Sequence, residues 1–225
     1  LLGGRPETIL DLGCGTGRHA LCLAQEGPPV VGVDCSEEMI AAARANAAKA
    51  PEDLRTRVDF RLGDLRRLDL GRRFDAVVSL FHVMSYQVEV EDVAAAVRSA
   101  ARHLAVGGWF VFDFWYGPGV LNLGPERRER TFTDGRLVIR RCVEPMMWPD
   151  RHRVDLDVRL DVHEASTGTR ARICERHSMR YFSHQELETW LGQAGMVIRS
   201  FRAWMTDREP DVQDWSACCA AEKVD

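Results

Sequence analysis

The chain of 225 residues carries 30 Lys plus Arg against 34 Asp plus Glu, a net charge of −4, with 45% hydrophobic and 28% charged residues. That is a globular composition sized for one domain, or one domain with an insertion, and such a core needs no disulfide or structural metal. No apolar run nears the ~20 residues of a membrane span, no leader pattern opens the chain, and the slightly acidic balance argues against life on a nucleic-acid backbone.

Residues 8–12 form a short apolar run that ends in a glycine cluster, and residues 18–26 read as a helix. Residues 30–34 are a second strand. Ser36 then caps a helix through residue 49, with Glu37 and Glu38 in the first turn, where the helix dipole favours anions. Pro51 lies just beyond its end. Residues 58–62 and 74–80 are the third and fourth strands, and residues 90–103 are a helix with Val93, Ala96, Val97, Ala100 and Leu104 as its apolar stripe. Gly107 and Gly108 are expected to stop it before a fifth, buried strand at residues 109–114. This alternation predicts an α/β fold, a doubly wound, mostly parallel sheet with helices on both faces.

After Tyr116 the pattern changes. Residues 117–126 read as a Gly/Pro-rich connection, followed by an arginine-rich stretch and runs of period two. Between residues 152 and 163, Val154, Leu156, Val158, Leu160 and Val162 alternate with Arg153, Asp155, Asp157, Arg159 and Asp161. Such alternation is a half-buried antiparallel strand with one solvated face. Its apolar face must be covered by the core or by a partner chain, which leaves a homodimer open. Residues 136–143 and 170–181 are its expected neighbours, with a turn at residues 166–168. Ser183 and Glu186 read as a capping box opening the last helix, and residues 196–204 and 215–221 as two final strands. An antiparallel insertion at residues 117–182 therefore interrupts a core built from residues 1–116 and 183–225.

The seven cysteines include no CxxC pair, so neither a zinc ribbon nor a redox pair is indicated. Cys14, Cys22 and Cys35 read as small buried fillers and Cys218–Cys219 as part of a reduced strand, which points to a reducing, cytoplasmic setting.

The chemistry concentrates at the ends of the first three strands. Asp11-Leu-Gly-Cys-Gly-Thr-Gly17 joins strand to helix, and its alternate glycines let backbone approach a ligand with no side chain in the way. A dinucleotide fingerprint would be GxGxxG, and here the third glycine comes one position early. Asp34 ends the second strand, where a carboxylate can accept both hydroxyls of a ribose. Gly63-Asp64-Leu65 follows the third strand at the same sheet edge, with Asp64 able to accept an exocyclic amine and Leu65 to cover a ring.

These segments, with the FDAVVSLFH stretch at residues 74–82, resemble the class I S-adenosylmethionine-dependent methyltransferases, closely over residues 8–116 and more loosely at the end of the chain. The resemblance implies a seven-stranded, Rossmann-like core and S-adenosylmethionine as cofactor. It puts the methionine part on Asp11, Gly13, Cys14, Gly15, Thr16 and Gly17, the ribose on Asp34 with Cys35 and Met39 beside it, and the adenine on Gly63, Asp64 and Leu65. Leu80 and Phe81 complete the cofactor set. A hydride-transfer alternative would want a Tyr-xxx-Lys pair, and no Tyr here has Lys at +4. An inactive binding protein on the same fold is the alternative of another class.

The acceptor is expected beyond strands four and five. The Asn/Asp-Pro-Pro-Tyr motif of base-amine methylation is absent, and Asp113 has no obvious carboxylate partner, so neither nucleic acid nor a metal is expected there. The insertion, with Glu175-x-His177 followed by Tyr181-Phe182, is similar to the N-methyltransferases of nucleotide-linked amino sugars in antibiotic biosynthesis. In that family a Tyr or His after strand four lies near the acceptor amine, and Tyr86 matches it. The family also draws aromatics from a segment before the first strand, whereas this chain opens at Leu1 almost within that strand. A small-molecule acceptor is therefore expected, with Tyr86 and His82 as catalytic candidates and Trp115, Tyr116, His177 and Arg180 around the substrate. A hydroxyl acceptor, with His82 or His177 as general base, is the alternative. Structural readings stand beside these: His82 a loop histidine, His177 a strand residue, Trp115 and Tyr116 packing under the insertion. Arg127, Arg128, Arg130, Arg136, Arg140 and Arg141 either receive a diphosphate or form a solvated face among acids.

Overall fold

The computed structural model describes residues 5–164 and 166–225, so Leu1 lies outside the described residues. The first half alternates as the apolar runs dictate: β1 (Ile9–Leu12), α1 (Arg18–Gln25), β2 (Val30–Asp34), α2 (Glu37–Ala48), a single-turn α3 (Glu52–Arg55), β3 (Val58–Leu62), β4 (Phe74–Ser79), α4 (Val90–Arg102) and β5 (Leu104–Tyr116). The second half holds α5 (Gly117–Leu123), β6 (Arg128–Thr133), β7 (Leu137–Trp148), β8 (Arg153–Glu164), β9 (Arg170–Phe182), α6 (His184–Gln193), β10 (Met196–Ala203) and β11 (Ser216–Lys223). Ser36 caps α2 as expected, its hydroxyl accepting from Met39 N at 3.2 Å.

All these strands join one sheet. The parallel strands run β3-β2-β1-β4-β5, and β11 then β10 add antiparallel, which completes the seven-stranded core. At the end of β5 the sheet forks. Trp115 and Tyr116 pair in parallel with Tyr181 and Phe182 of β9, and β8, β7 and β6 follow antiparallel. Among the described residues the sheet thus has 11 strands, because the insertion continues it and does not stand apart. The core packs on both faces. Leu10, Leu12, Phe110, Phe112 and Phe114 face α4 and α6, while Ile9, Val30 and Val78 face α1 and α2. Phe110, Phe112 and Phe114 stack in a column with centroids 4.5 and 5.7 Å apart, each ring contributing about 1.5–3 kcal/mol by burial.

Four local expectations are corrected. β5 begins at Leu104, which pairs with Phe74; the register then slips, and Gly107, at φ +79°, sits in that irregular start and does not end a helix. The Gly/Pro-rich connection contains α5: Pro118 suits a first helical turn, and Gly119 is required because a Cβ there would fall 1.7 Å from Asp214 O. The arginine-rich stretch contains β6, six exposed residues on the outer edge of the sheet. Asp155, expected on a solvated face, is buried and accepts from Trp148 Nε1 at 2.9 Å and Ser178 Oγ at 2.7 Å. On the apolar face of the same strand, Val154 and Val158 are buried within this chain, with Leu156, Leu160 and Val162 half-buried.

Candidate functional site

Gly13, Gly15 and Gly17 adopt φ of +76°, +51° and +76°, a left-handed run that side chains disfavour. The loop is stapled to β2, with Gly13 N and Cys14 N both donating to Val33 O at 2.8 and 3.0 Å. A Cβ on Gly13 would come within 2.5 Å of Val83, and one on Gly17 within 2.5 Å of the Phe60 ring, whereas Gly15 faces open space. Two glycines are therefore packed and the middle one presents bare backbone. Gly15 N donates to Asp34 Oδ2 at 2.8 Å, and Ser36 N to Asp34 Oδ1 at 2.9 Å. The carboxylate expected to take a ribose is thus already oriented by two amides, and each oxygen keeps a further acceptor site. Asn46 Nδ2 donates to Thr16 O at 3.0 Å, fixing the far side of the loop.

Asp11 lies beneath this loop, buried, with Oδ2 unpartnered among the described residues. Burial, and secondarily the Asp34 charge, pushes its carboxyl up to about 7. A buried acid with a free oxygen beside a second carboxylate fits a cation, and an α-ammonium is such a cation. The neighbouring Cys14 thiol is pushed up by burial and by Asp11 and Asp34, so it is an inert filler. Cys22 and Cys35, expected as buried fillers, are instead exposed, Cys35 with Met39 at the start of α2. Gly63 N donates to Asp34 O at 2.9 Å, which brings the third strand end to the second. Asp64 is engaged by Arg66, with Nη2 2.7 Å from Oδ2, and that guanidinium also reaches Asp92 at 3.0 Å. Arg66 holds the Asp64 carboxyl below the usual carboxylate range. An amine at Asp64 has to share the carboxylate with Arg66. Leu65 packs against the main core, Leu80 is half-buried and Phe81 is exposed.

On the acceptor side the chain turns sharply after β4. Phe81 and His82, neither of them glycine, have φ of +69° and +65°, a conformation costing ~1–3 kcal/mol per residue. Asp113 on β5 secures it: His82 N donates to Asp113 Oδ2 at 3.0 Å, and His82 Nδ1 lies 2.7 Å from the same oxygen, at ion-pair distance but without hydrogen-bond alignment. Asp113 is fully buried, and its partner, unseen in the sequence, is this histidine. A one-turn 3-10 helix, Val83–Tyr86, follows and rests on Gly13 through Val83.

Tyr86 ends that turn half-exposed, its hydroxyl 3.3 Å from His177 Nδ1, while His177 Nε2 lies 3.2 Å from Glu175 Oε2. Glu175 favours the tautomer with the proton on Nε2. Nδ1 then accepts from the tyrosine, whose oxygen keeps lone pairs for another donor. Burial, with Glu175 adding to it, raises the Tyr86 hydroxyl above its ordinary value, so it stays protonated near neutrality. The role of Glu175 was not foreseen, although the period-two spacing of Glu175 and His177 puts both on one face.

Trp115 is buried edge-to-face on Trp215 at 5.2 Å, and its backbone N–H donates to Ser85 Oγ at 3.0 Å. The His82 ring lies 6.4 Å from that of Trp115. Tyr116 and Arg180 are not brought to this group. Tyr116 packs against Phe201, with centroids 6.0 Å apart. Arg180, three residues beyond His177 and so on the other face of β9, is buried in an ion pair with Glu186 and donates to Val88 O at 3.1 Å. The Ser183–Glu186 capping box is accordingly half made: Ser183 Oγ accepts from Glu186 N at 3.2 Å, but the Glu186 carboxylate goes to Arg180.

With this geometry in place, comparison with known proteins gives concordant results. The profile of a family described as methyltransferase domain matches residues 9–108. The dTDP-3-amino-3,4,6-trideoxy-alpha-D-glucopyranose N,N-dimethyltransferase of Streptomyces venezuelae is 30% identical over 192 residues, covering 85% of this chain and 76% of that protein. Among solved structures, the CcbJ methyltransferase from Streptomyces caelestis superposes with a TM-score of 0.79 at 25% identity, over 99% of this chain and 90% of that one. An S-adenosylmethionine-bound amino pentose methyltransferase from Micromonospora echinaspora, involved in calicheamicin biosynthesis, superposes with a TM-score of 0.75 at 25% identity, over 97% of this chain and 84% of that one.

Proposed function

The chain belongs to the S-adenosylmethionine-dependent methyltransferases, and from that premise we propose that its acceptor is the amine of a nucleotide-linked amino sugar. The Tyr86–His177–Glu175 chain of contacts carries this reading, and the naming of the Streptomyces venezuelae relative as an amino-sugar N,N-dimethyltransferase supports it.

S-adenosylmethionine, when bound, supplies a methyl group on a positively charged sulfur. Gly15 backbone, Asp11 and Asp34 are the groups that would hold its ammonium and ribose. Toward the acceptor, the protein has to keep an unprotonated nitrogen in line, and positioning of that kind can lower a barrier by ~7–11 kcal/mol. Tyr86 oxygen accepts an N–H from the amine and so aims its lone pair, while His177 and Glu175 fix the hydroxyl. When the nitrogen becomes cationic, its proton leaves toward Tyr86 oxygen as the phenolic proton passes to His177 Nδ1. On this reading the chemistry falls at the junction of the core and the 117–182 insertion, the insertion serving as the acceptor-side unit. The seven free thiols suit a reducing, cytoplasmic compartment.

Tyr86→Phe should leave S-adenosylhomocysteine affinity unchanged and lower kcat and kcat/KM together by about tenfold, the worth of one hydrogen bond made in the transition state. His82→Ala is the control. A dead His82→Ala beside a normal Tyr86→Phe would transfer the assignment to the His82–Asp113 pair and a hydroxyl acceptor.

A further inference from the structure

Asp113 is fully buried on β5, and its Oδ1 has no hydrogen-bond partner among the described residues. A carboxylate kept in such a place costs stability, and the methyl transfer described above makes no direct use of it. Its position in the sheet is informative. β11 fills one edge of β5. On the other edge, β4 stops at Ser79, paired with Phe112, and β9 joins only at Trp115. The turn from Phe81 to Tyr86 lies between them, and both of its ends are tied to β5. His82 N donates to Asp113 Oδ2 at 3.0 Å, and Trp115 backbone N donates to the buried Ser85 Oγ at 3.0 Å. Within the turn, Ser85 N donates to His82 O at 2.9 Å, which leads the 3-10 helix from His82 to Tyr86.

The turn needs these ties. Phe81 and His82 stand one after the other at φ of +69° and +65°, a region that neither side chain favours. Backbone of this kind persists only where its surroundings over-determine it. Val83 packed on Gly13 supports the middle, and the Asp113 carboxylate fixes the start from a strand in the centre of the sheet. The bond is to backbone, whereas the His82 ring lies near the same oxygen without hydrogen-bond alignment. Released from Asp113, Phe81 and His82 would relax toward negative φ, and the Tyr86 hydroxyl, now 3.3 Å from His177 Nδ1, would leave its partner.

We infer that Asp113 is a positioning residue for methyl transfer: by accepting from His82 N it holds the left-handed turn that sets Tyr86 oxygen against the acceptor. This rests on the reading of Tyr86 as the contact to the amine. Asp113 touches neither reactant and acts through Tyr86 alone, with Ser85 as the second tie of the same turn.

A double-mutant cycle on turnover of a thymidine-diphosphate-linked amino sugar tests this. Asp113→Leu fills the same buried space without an acceptor, and Asp113→Ala stands in for it if the leucine prevents folding. Either should lower kcat and kcat/KM together by up to about the tenfold that Tyr86→Phe costs, since a residue acting through Tyr86 can lose no more than Tyr86 supplies. Asp113→Asn should recover most of that loss, because its amide oxygen still accepts from His82 N. Ser85→Ala should also slow turnover. In the Tyr86→Phe background none of these changes should lower kcat further. S-adenosylhomocysteine affinity within about twofold of wild type reports an intact cofactor end. Equal losses in the wild-type and Tyr86→Phe backgrounds, or an Asp113→Asn variant as slow as Asp113→Leu, would overturn the role of Asp113 and leave that of Tyr86 standing. A Tyr86→Phe variant as fast as wild type, or a wild type inert toward the linked sugar, would overturn the acceptor reading and this inference with it.

Discussion

At the proposed cofactor end of the cleft a ligand would meet backbone: the open Cα edge of Gly15, whose N–H is already given to Asp34, two glycines packed without room for a methyl, and carboxylates on strand ends. At the proposed acceptor end it would meet side chains, Tyr86 and His177 on a turn and a strand. Substitution should therefore act differently at the two ends. Backbone contacts cannot be exchanged without disturbing the fold, whereas side-chain contacts can change while the core stays intact.

The largest effect is expected at Gly17→Ala. Its methyl would sit 2.5 Å from the Phe60 ring on a residue at φ +76°, costing ~1–3 kcal/mol for overpacking and ~1–2 kcal/mol for the left-handed backbone. Chemical denaturation should show that loss. Gly15→Ala, with nothing within 4 Å, should lose only the backbone part in stability yet bind S-adenosylhomocysteine much more weakly. Wild-type affinity in Gly15→Ala would break the comparison, because the ligand would not then be touching backbone there.

Next in size is Asp34→Ala. It removes contacts to a charged acceptor worth ~1.5–3 kcal/mol, or roughly ten- to a hundredfold in S-adenosylhomocysteine affinity by calorimetry. Part of any loss will reflect the freed Gly15 and Ser36 amides. A ligand lacking the ribose hydroxyls, bound equally by both proteins, separates the two contributions.

The smallest effect is a proton. Asp11 titrates near 7 when folded against 3.8 for an unperturbed carboxyl, so between those values the native state holds a proton that the unfolded chain has released. Its contribution to stability is full below about pH 4 and is lost as pH rises through 7. A bound ammonium reverses the preference and expels the proton, so cofactor affinity should rise with pH up to about 7. At pH 6, S-adenosylhomocysteine titrations in buffers of different ionisation enthalpy should report close to one proton released, and Asp11→Asn none. Equal heats in wild type would sharpen the comparison by removing the ammonium from Asp11.

The geometry of the glycine loop and its neighbours was legible because its requirements are local: glycine where φ is positive, an acid at a strand end, a serine cap. The acceptor end was less so. His82 and Asp113 are 31 residues apart in sequence and meet only when β4 and β5 lie side by side. Arg180 resembled a substrate ligand until Glu186, from the next helix, claimed it. α5 was hidden because Pro118 and Gly119 look like a loop, although one suits a first turn and the other a close approach to Asp214. β6 was hidden because an exposed edge strand shows no apolar alternation. The period of two in β8, by contrast, reported its pairing faithfully, and only the burial of Asp155 under Trp148 escaped it.

That edge strand has a consequence for the protein in crowded solution. β6 ends the sheet with its outer row of amides and carbonyls unpaired among the described residues, the kind of border on which another chain can lay a strand. Arg128, Glu129 and Arg130 spaced along it make such an approach electrostatically awkward, since a second copy arriving edge to edge would set guanidinium near guanidinium. High salt, or a polyanion that masks those charges, should remove this protection, so colloidal stability in this protein is tied to the occupancy of its own rim.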